Sequence, residues 1–112
     1  MKKDPKVFLD HILESIKLIE EYRSEKTRDD FLKSVGLQDM IVRRLEIIGE
    51  AVKNLPQEIK EKHLDIPWKR IAGMRDILIH EYFGIDLGLT WEVVEKELPY
   101  LKKSIIEIKE KL

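Results

Sequence analysis

Apolar residues recur at helical spacing along the chain, and no stretch alternates long enough to form a sheet. The stripes of apolar positions are marked, helix by helix, by Val7, Phe8, Ile12, Ile16 and Ile19, by Phe31, Leu32 and Val35, by Ile41, Leu45, Ile48 and Val52, by Leu89, Trp91, Val94 and Leu98, and by Ile105, Ile108 and Leu112. These positions repeat with a period near 3.6 residues, which is the period of an amphipathic helix. The pattern therefore predicts an all-α protein.

Polar residues, prolines and glycines divide the first half of this pattern into helices. Asp4 is predicted to cap a first helix, with Pro5 at its first position, and Thr27 to cap a second, short helix. Gly36 permits a bend, after which a long helix is predicted from about Leu37 to Leu55. The proline that follows this helix either ends it or restarts it as a short turn.

The second half divides in the same way. A helix is predicted from about Pro67 to Phe83, with Gly84 as its C-terminal stop and Asp86 as the cap of the next helix. Pro99 either kinks the chain or begins a last helix. The prediction is an up-and-down bundle of four or five helices with short connections, in a single domain over residues 1–112.

Composition narrows the function. The 21 Lys and Arg residues nearly balance the 22 Asp and Glu residues, and the formal net charge is −1. Proteins that attract nucleic acid over long distances are usually basic, so any RNA binding here is expected to be local, transient or assisted by a partner.

Cysteine is absent, which excludes disulfides, zinc thiolate sites and cysteine nucleophiles. No signal-like or membrane-spanning apolar run is found, so a cytoplasmic protein without a membrane partner is expected.

One segment collects residues that could carry chemistry. Arg75, His80 and Tyr82 lie within two predicted helical turns, and Asp76 is one turn before His80. Asp76 could orient the imidazole or raise its pKa. Arginine fits a phosphate, and histidine transfers protons near neutral pH. These are the parts of a metal-independent ribonuclease, in which a base deprotonates a ribose 2′-hydroxyl that then attacks the adjacent phosphorus.

The segment offers one histidine, whereas such a cleavage normally needs both a base and an acid. A symmetric homodimer would bring two copies of His80 to a shared cleft. No cluster of carboxylates in the sequence suggests a two-metal alternative, so no metal site is predicted. The residues also allow a structural interpretation, in which His80 is a hydrogen-bonded core residue and Tyr82 packs at the end of its helix.

Arg75-x4-His80-x-Tyr82 resembles the R-x4-H-x-Y signature of the HepT-like family, which belongs to the HEPN superfamily of helical bundles. The polar residue after the arginine, Asp76, fits the pattern of that superfamily. Other parts of the chain look like the family's long helix, its approach to the motif and its closing helices: Arg44 to Ala51, Pro67 to Met74, Trp91 and Leu98-Pro99. The resemblance covers most of the chain, from about Arg28 to Ile105.

The resemblance implies a function that spacing alone does not show. HepT-like proteins are ribonuclease toxins encoded beside a minimal nucleotidyltransferase antitoxin, MntA. Carried over by position, Arg75 and His80 would be the catalytic pair acting on RNA rather than DNA. Tyr82 would be the residue that the antitoxin adenylylates. The ribonuclease itself would need no cofactor, because the ATP and Mg²⁺ of the modification belong to the antitoxin.

Two alternatives use the same bundle. In one, the chain is a non-catalytic subunit that presents substrate or nucleotide to a partner nucleotidyltransferase, and His80 could be replaced by Gln. In the other, the chain is a purely structural helical dimer.

Several further residues have open roles. Glu46 and Glu50 form an i, i+4 pair that could reach the motif helix and pair with Arg75, or face solvent. The remaining expectations are that the first two histidines are structural or solvated, that both tryptophans pack in the core or a dimer interface, and that two helical glycines mark close helix contacts: His11 and His63, Trp68 and Trp91, Gly49 and Gly73.

Overall fold

The computed structural model describes residues 4–80 and 86–112, and for Ile77, Ile79 and His80 it describes the helical backbone alone. The helices are α1 (Pro5–Arg23), α2 (Arg28–Lys33), α3 (Val35–Asn54), α4 (Gln57–Glu61), α5 (Trp68–His80), α6 (Leu87–Glu92) and α7 (Leu98–Glu110), with a π-helical turn at Val93–Glu97. These ranges contain no strand. The prediction of an all-α helical bundle is confirmed.

Three predicted N-caps form the expected hydrogen bonds. The Asp4 carboxylate accepts from the backbone N–H two residues later at 2.9 Å, and that of Asp86 accepts from the N–H three residues later at 3.0 Å. Thr27 and Asp30 form a reciprocal capping box, in which each side chain accepts from the other's backbone N–H. The hydrogen bond from the Thr27 backbone is the main reason why the pKa of Asp30 lies below its usual value.

The predicted bend at Gly36 is wrong. Ser34 caps α3 instead, because its Oγ accepts a hydrogen bond from the backbone N–H of Leu37 at 3.1 Å. Gly36 therefore lies inside the first turn of a helix that begins two residues earlier than predicted. Serine is a strong N-cap, and its preference decides the boundary where a glycine would otherwise allow a break.

Pro99 lies in the first turn of α7, as one of the two alternatives predicted. Helical structure continues through this proline from α6 by way of the π-helical turn. The backbone N–H of Leu98 donates to the carbonyl of Val93, five residues earlier. Proline has no N–H to offer the preceding turn, and a single π turn accommodates that loss without ending the helix.

The core is built mainly where α3 packs between α1 and α5, and where α7 packs on α1. Its fully buried members come largely from the predicted stripes: Leu9, Ile12, Ile16, Ile19, Phe31, Ile41, Leu45, Ile48, Val52, Val94 and Ile105. The prediction is wrong for five stripe positions that are exposed: Val7, Leu32, Val35, Leu89 and Leu112. Trp91 is buried with its ring centroid 5.2 Å from that of Phe31, and Trp68 is buried with its Nε1 donating to two carbonyls before α5. Both tryptophans are therefore core residues.

One exposed contact ties α7 to the loop before α5. The Tyr100 hydroxyl donates to an Asp65 carboxylate oxygen at 2.7 Å. This bond lowers the pKa of Asp65 and raises that of Tyr100. No helix in the described ranges is long and apolar enough to cross a membrane.

Candidate functional site

Arg75 lies at a close crossing of α5 and α3. A Cβ atom added to Gly49 would stand 2.6 Å from the Cβ of Arg75 and 3.1 Å from the carbonyl oxygen of Ile71. Ordinary carbon contacts are about 3.5 to 4.0 Å, so only glycine allows this crossing. The close approach predicted for Gly49 is therefore present. For Gly73 the same expectation is wrong, because a Cβ added there meets no atom within 4 Å in the described chain.

Two carboxylates hold the Arg75 guanidinium. Its Nε is 2.8 Å from Oε2 of Glu50 on α3, and its Nη1 is 3.1 Å from Oδ1 of Asp76 on its own helix. The Arg75 side chain remains 29% exposed. The contacts at Nε and Nη1 together restrain the orientation of the guanidinium plane. Within the described residues, no ion-pair partner is found for Nη2.

The structure brings some of the other predicted site residues into contact with Arg75 and leaves others apart from it. Glu50 reaches Arg75, whereas Glu46 is 3.4 Å from Arg43 on its own helix. Asp76 contacts Arg75, and its backbone lies one turn before His80, the last described residue of α5. The predicted contact between Asp76 and the imidazole depends on a side chain outside the described residues. Tyr82 lies wholly outside them.

The Arg75 side chain lines a groove of about 350 Å³ that is formed by three helices, here called the α1–α3–α5 groove. Its walls carry cations, carboxylates, a histidine and apolar side chains. They are Phe8 and His11 from α1, Arg43, Glu46, Ile47, Glu50, Ala51 and Asn54 from α3, and Arg75 from α5. Two arginines beside apolar surface form an arrangement that suits an anion with a flat or apolar part.

Sequence reasoning missed two members of this groove. His11 was expected to be structural or solvated, and Arg43 was not singled out. A signal for Arg43 does exist in the sequence, because Arg43, Glu46 and Glu50 follow one another at i, i+3 and i+7 and so share a face of α3. His11 has no comparable signal, since only the packing of α1 on α3 brings it there.

No three His, Asp or Glu residues in residues 4–80 and 86–112 form a group able to hold a metal ion.

The fold and the groove define a class of all-α bundles that present a phosphate-compatible arginine on a core helix, five residues before a histidine. Comparison with known families assigns the chain within that class. The profile described as "Ribonuclease HepT-like" matches residues 12–108, and the chain belongs to this family. The resemblance seen in the sequence is thereby confirmed.

Similar proteins agree with the assignment. A protein of Methanocaldococcus jannaschii named "Gamma-glutamylcyclotransferase and putative RNase" is 63% identical over the whole chain, which spans 50% of that protein's length. A "Putative RNase" of Caldanaerobacter subterraneus subsp. tengcongensis is 50% identical over 97% of both chains. The "Probable ribonuclease HepT" of Thermococcus cleftensis is 47% identical over 91% of this chain and 93% of its own. No solved structure matches the chain.

Proposed function

We propose that this chain is a metal-independent endoribonuclease toxin that acts as a homodimer and is silenced by a nucleotidyltransferase antitoxin. Membership of the HepT-like ribonuclease family supports the nuclease assignment. The observation that carries the proposal is the Arg75 guanidinium, which Glu50 and Asp76 orient at the edge of an open groove. Because the side chain of such an arginine is already ordered, binding a phosphate costs little further side-chain entropy.

The proposed reaction is a transesterification within RNA. His80 takes the proton of a ribose 2′-hydroxyl, and the oxygen attacks the adjacent phosphorus. The bond from phosphorus to the 5′-oxygen of the next nucleotide breaks, leaving a 2′,3′-cyclic phosphate, and the departing oxygen takes up a proton. Arg75 stabilises the negative charge that grows on the phosphoryl oxygens during the attack.

The proton for the departing oxygen needs a second donor, because the motif contains a single histidine. In the proposed homodimer, His80 of the second subunit supplies it, and the two motifs share one cleft. A two-fold axis makes both subunits contribute the same residues, so one sequence provides both a base and an acid.

The proposed silencing follows from the chemistry of the motif. The antitoxin, using its own ATP and Mg²⁺, joins AMP to the hydroxyl of Tyr82 with release of pyrophosphate. The product is a bulky phosphodiester with a negative charge, seven residues after Arg75 in the sequence. Such a group would compete with RNA for the guanidinium by both charge and volume.

The first test is cleavage of RNA by the purified chain in the presence of EDTA. Arg75→Ala and His80→Ala are each expected to lower kcat/KM by about a hundredfold or more. Arg70→Ala is the matched control, because Arg70 is also on α5, is 68% exposed and pairs with Glu97 away from the groove. Cleavage by both motif variants at the wild-type rate would overturn the assignment. Nucleotide or RNA binding without any cleavage by the wild type would instead support the non-catalytic subunit.

The second test addresses silencing. Co-expression with a neighbouring nucleotidyltransferase is expected to add AMP to the wild type and to abolish growth arrest. Tyr82→Phe is expected to remain toxic and to gain no AMP mass. If Tyr82→Phe were silenced through nucleotide transfer as fully as the wild type, the modification would lie elsewhere and this part of the proposal would be wrong.

A further inference from the structure

A second arginine, Arg43, lines the α1–α3–α5 groove and also has a glutamate of α3 as its partner. Nη1 of Arg43 is 3.4 Å from Oε2 of Glu46, as Nε of Arg75 is 2.8 Å from Oε2 of Glu50. Glu46 and Glu50 are one helical turn apart on α3 and therefore lie on the same face. Each of the two guanidinium groups therefore pairs with a carboxylate on this face of α3.

The opposite side of the groove is supplied by α1. Phe8 and His11 are one turn apart on that helix and both line the groove, with Ile47 and Ala51 of α3 as further apolar surface. His11 is exposed. Aromatic rings, including that of histidine, are the surfaces on which proteins stack unpaired RNA bases.

We propose that this groove binds one nucleotide of single-stranded RNA beside the scissile linkage, with Arg43 on a neighbouring phosphate and the His11 ring against the base. The proposal rests on the ribonuclease function proposed above and extends its substrate site to two residues outside the R-x4-H-x-Y motif. A volume of about 350 Å³ lies at the lower end of the range for small-molecule sites, which suits one nucleotide better than a folded domain.

The position of the groove beside Arg75 favours RNA as the occupant. The groove is continuous with Arg75, so a strand whose phosphate meets Arg75 can extend past Glu50 toward Arg43. The net charge of −1 gives the chain no general attraction for RNA, so its phosphate contacts depend on local cations such as this pair of arginines. Glu46 and Glu50 balance the two arginines, and the resulting contact is therefore weak and sensitive to salt.

Binding is measured by fluorescence anisotropy with a labelled single-stranded RNA oligonucleotide, using His80→Gln protein so that the RNA is not cut. We expect Arg43→Ala to weaken binding by about tenfold. The slope of log K against log salt should fall in magnitude by about 0.7, which corresponds to one phosphate contact on a single strand. His11→Ala should weaken binding by about tenfold with an unchanged salt slope, because stacking releases no counterions.

Arg70→Ala in the same background is the matched control. Arg70 and Arg43 are 68% and 67% exposed, and each pairs with a glutamate, but Arg70 does not line the groove. Its removal is expected to leave affinity and salt slope unchanged. Arg43→Lys keeps the charge without the planar fork and should restore the salt slope but only part of the affinity.

Kinetics with otherwise wild-type protein separate this proposal from the one on which it rests. Arg43→Ala and His11→Ala should raise KM for RNA about tenfold and change kcat little, whereas Arg75→Ala lowers kcat. If the wild type cleaves RNA and both groove variants keep its KM, the substrate site lies elsewhere and only the groove proposal fails. If the groove variants instead lose association with the antitoxin and keep their affinity for RNA, the groove is a protein interface and the proposal is likewise overturned. A wild type that cleaves no RNA refutes the nuclease function itself.

Discussion

Replacing Gly49 by alanine tests the helix crossing that positions Arg75. The new methyl group would stand 2.6 Å from the Cβ of Arg75 and 3.1 Å from a backbone carbonyl oxygen on α5. Neither atom is the end of a flexible side chain, so α3 and α5 must separate by about 1 Å to restore ordinary contact. Overpacking of this kind costs roughly 1 to 3 kcal/mol, against about 1 kcal/mol gained from the better helix propensity of alanine.

We therefore expect Gly49→Ala to lower the free energy of unfolding by about 1 kcal/mol, or by up to about 2 kcal/mol. For a chain of this size, 1 kcal/mol corresponds to a fall in Tm of roughly 4 °C. Gly73→Ala is the matched control, because it makes the same chemical change on α5 where the added Cβ meets nothing within 4 Å. It should raise the free energy of unfolding by about 0.5 to 1 kcal/mol.

The assay is thermal and urea unfolding followed by far-UV circular dichroism, together with the rate of RNA cleavage. Gly49→Ala should also lose activity, because separation of the helices moves the backbone of Arg75 relative to Glu50. Equal stabilisation of the protein by the two substitutions would show that the helices do not cross as closely as described, and the argument for how Arg75 is positioned would fail.

Three other outcomes are expected. Glu50→Gln should leave Tm within a few degrees of the wild-type value but lower kcat/KM about tenfold, because a neutral amide orients the Arg75 guanidinium less firmly than the carboxylate does. An unchanged rate would contradict the orienting role of Glu50. Tyr100→Phe should lower Tm at neutral pH, with a difference that shrinks as pH falls below about 3.8, the ordinary pKa of Asp65, because the lowered pKa contributes stability only while that carboxylate is ionised; a difference that persists in acid would contradict this origin. Thr27→Ala should cost about 1 kcal/mol through loss of the cap on α2, which urea unfolding measures and Thr27→Ser should largely restore.

Most of the fold could be predicted from the sequence because the signals are local. The period of the apolar residues gives the helices, and the side chains of Asp4, Thr27 and Asp86 each bond a backbone N–H within three residues. The error at Gly36 came from weighing a glycine above the serine two residues before it. The π-helical turn was not predicted, because a proline alone does not determine whether the preceding turn widens or the helix ends.

The site was less accessible to prediction. Arg75 and Glu50 are recognisable by residue type, and their pairing could be posed as one of two alternatives, but only the crossing at Gly49 decides between them. His11 belongs to the groove through the packing of α1, a contact between positions far apart in the sequence. Amphipathic patterns show which face of a helix is buried, but they do not show which polar residues from different helices meet at its edge.

The crossing at Gly49 also limits how this site can be controlled. The Cα position of Arg75 is set by two helices of the hydrophobic core, so displacing it requires repacking of the protein interior. An effector would have to supply that energy through its own binding. Filling the space in front of the guanidinium requires no such work, and a small covalent adduct or a bound nucleotide is enough. Such a scaffold favours regulators that compete for the site over those that distort it.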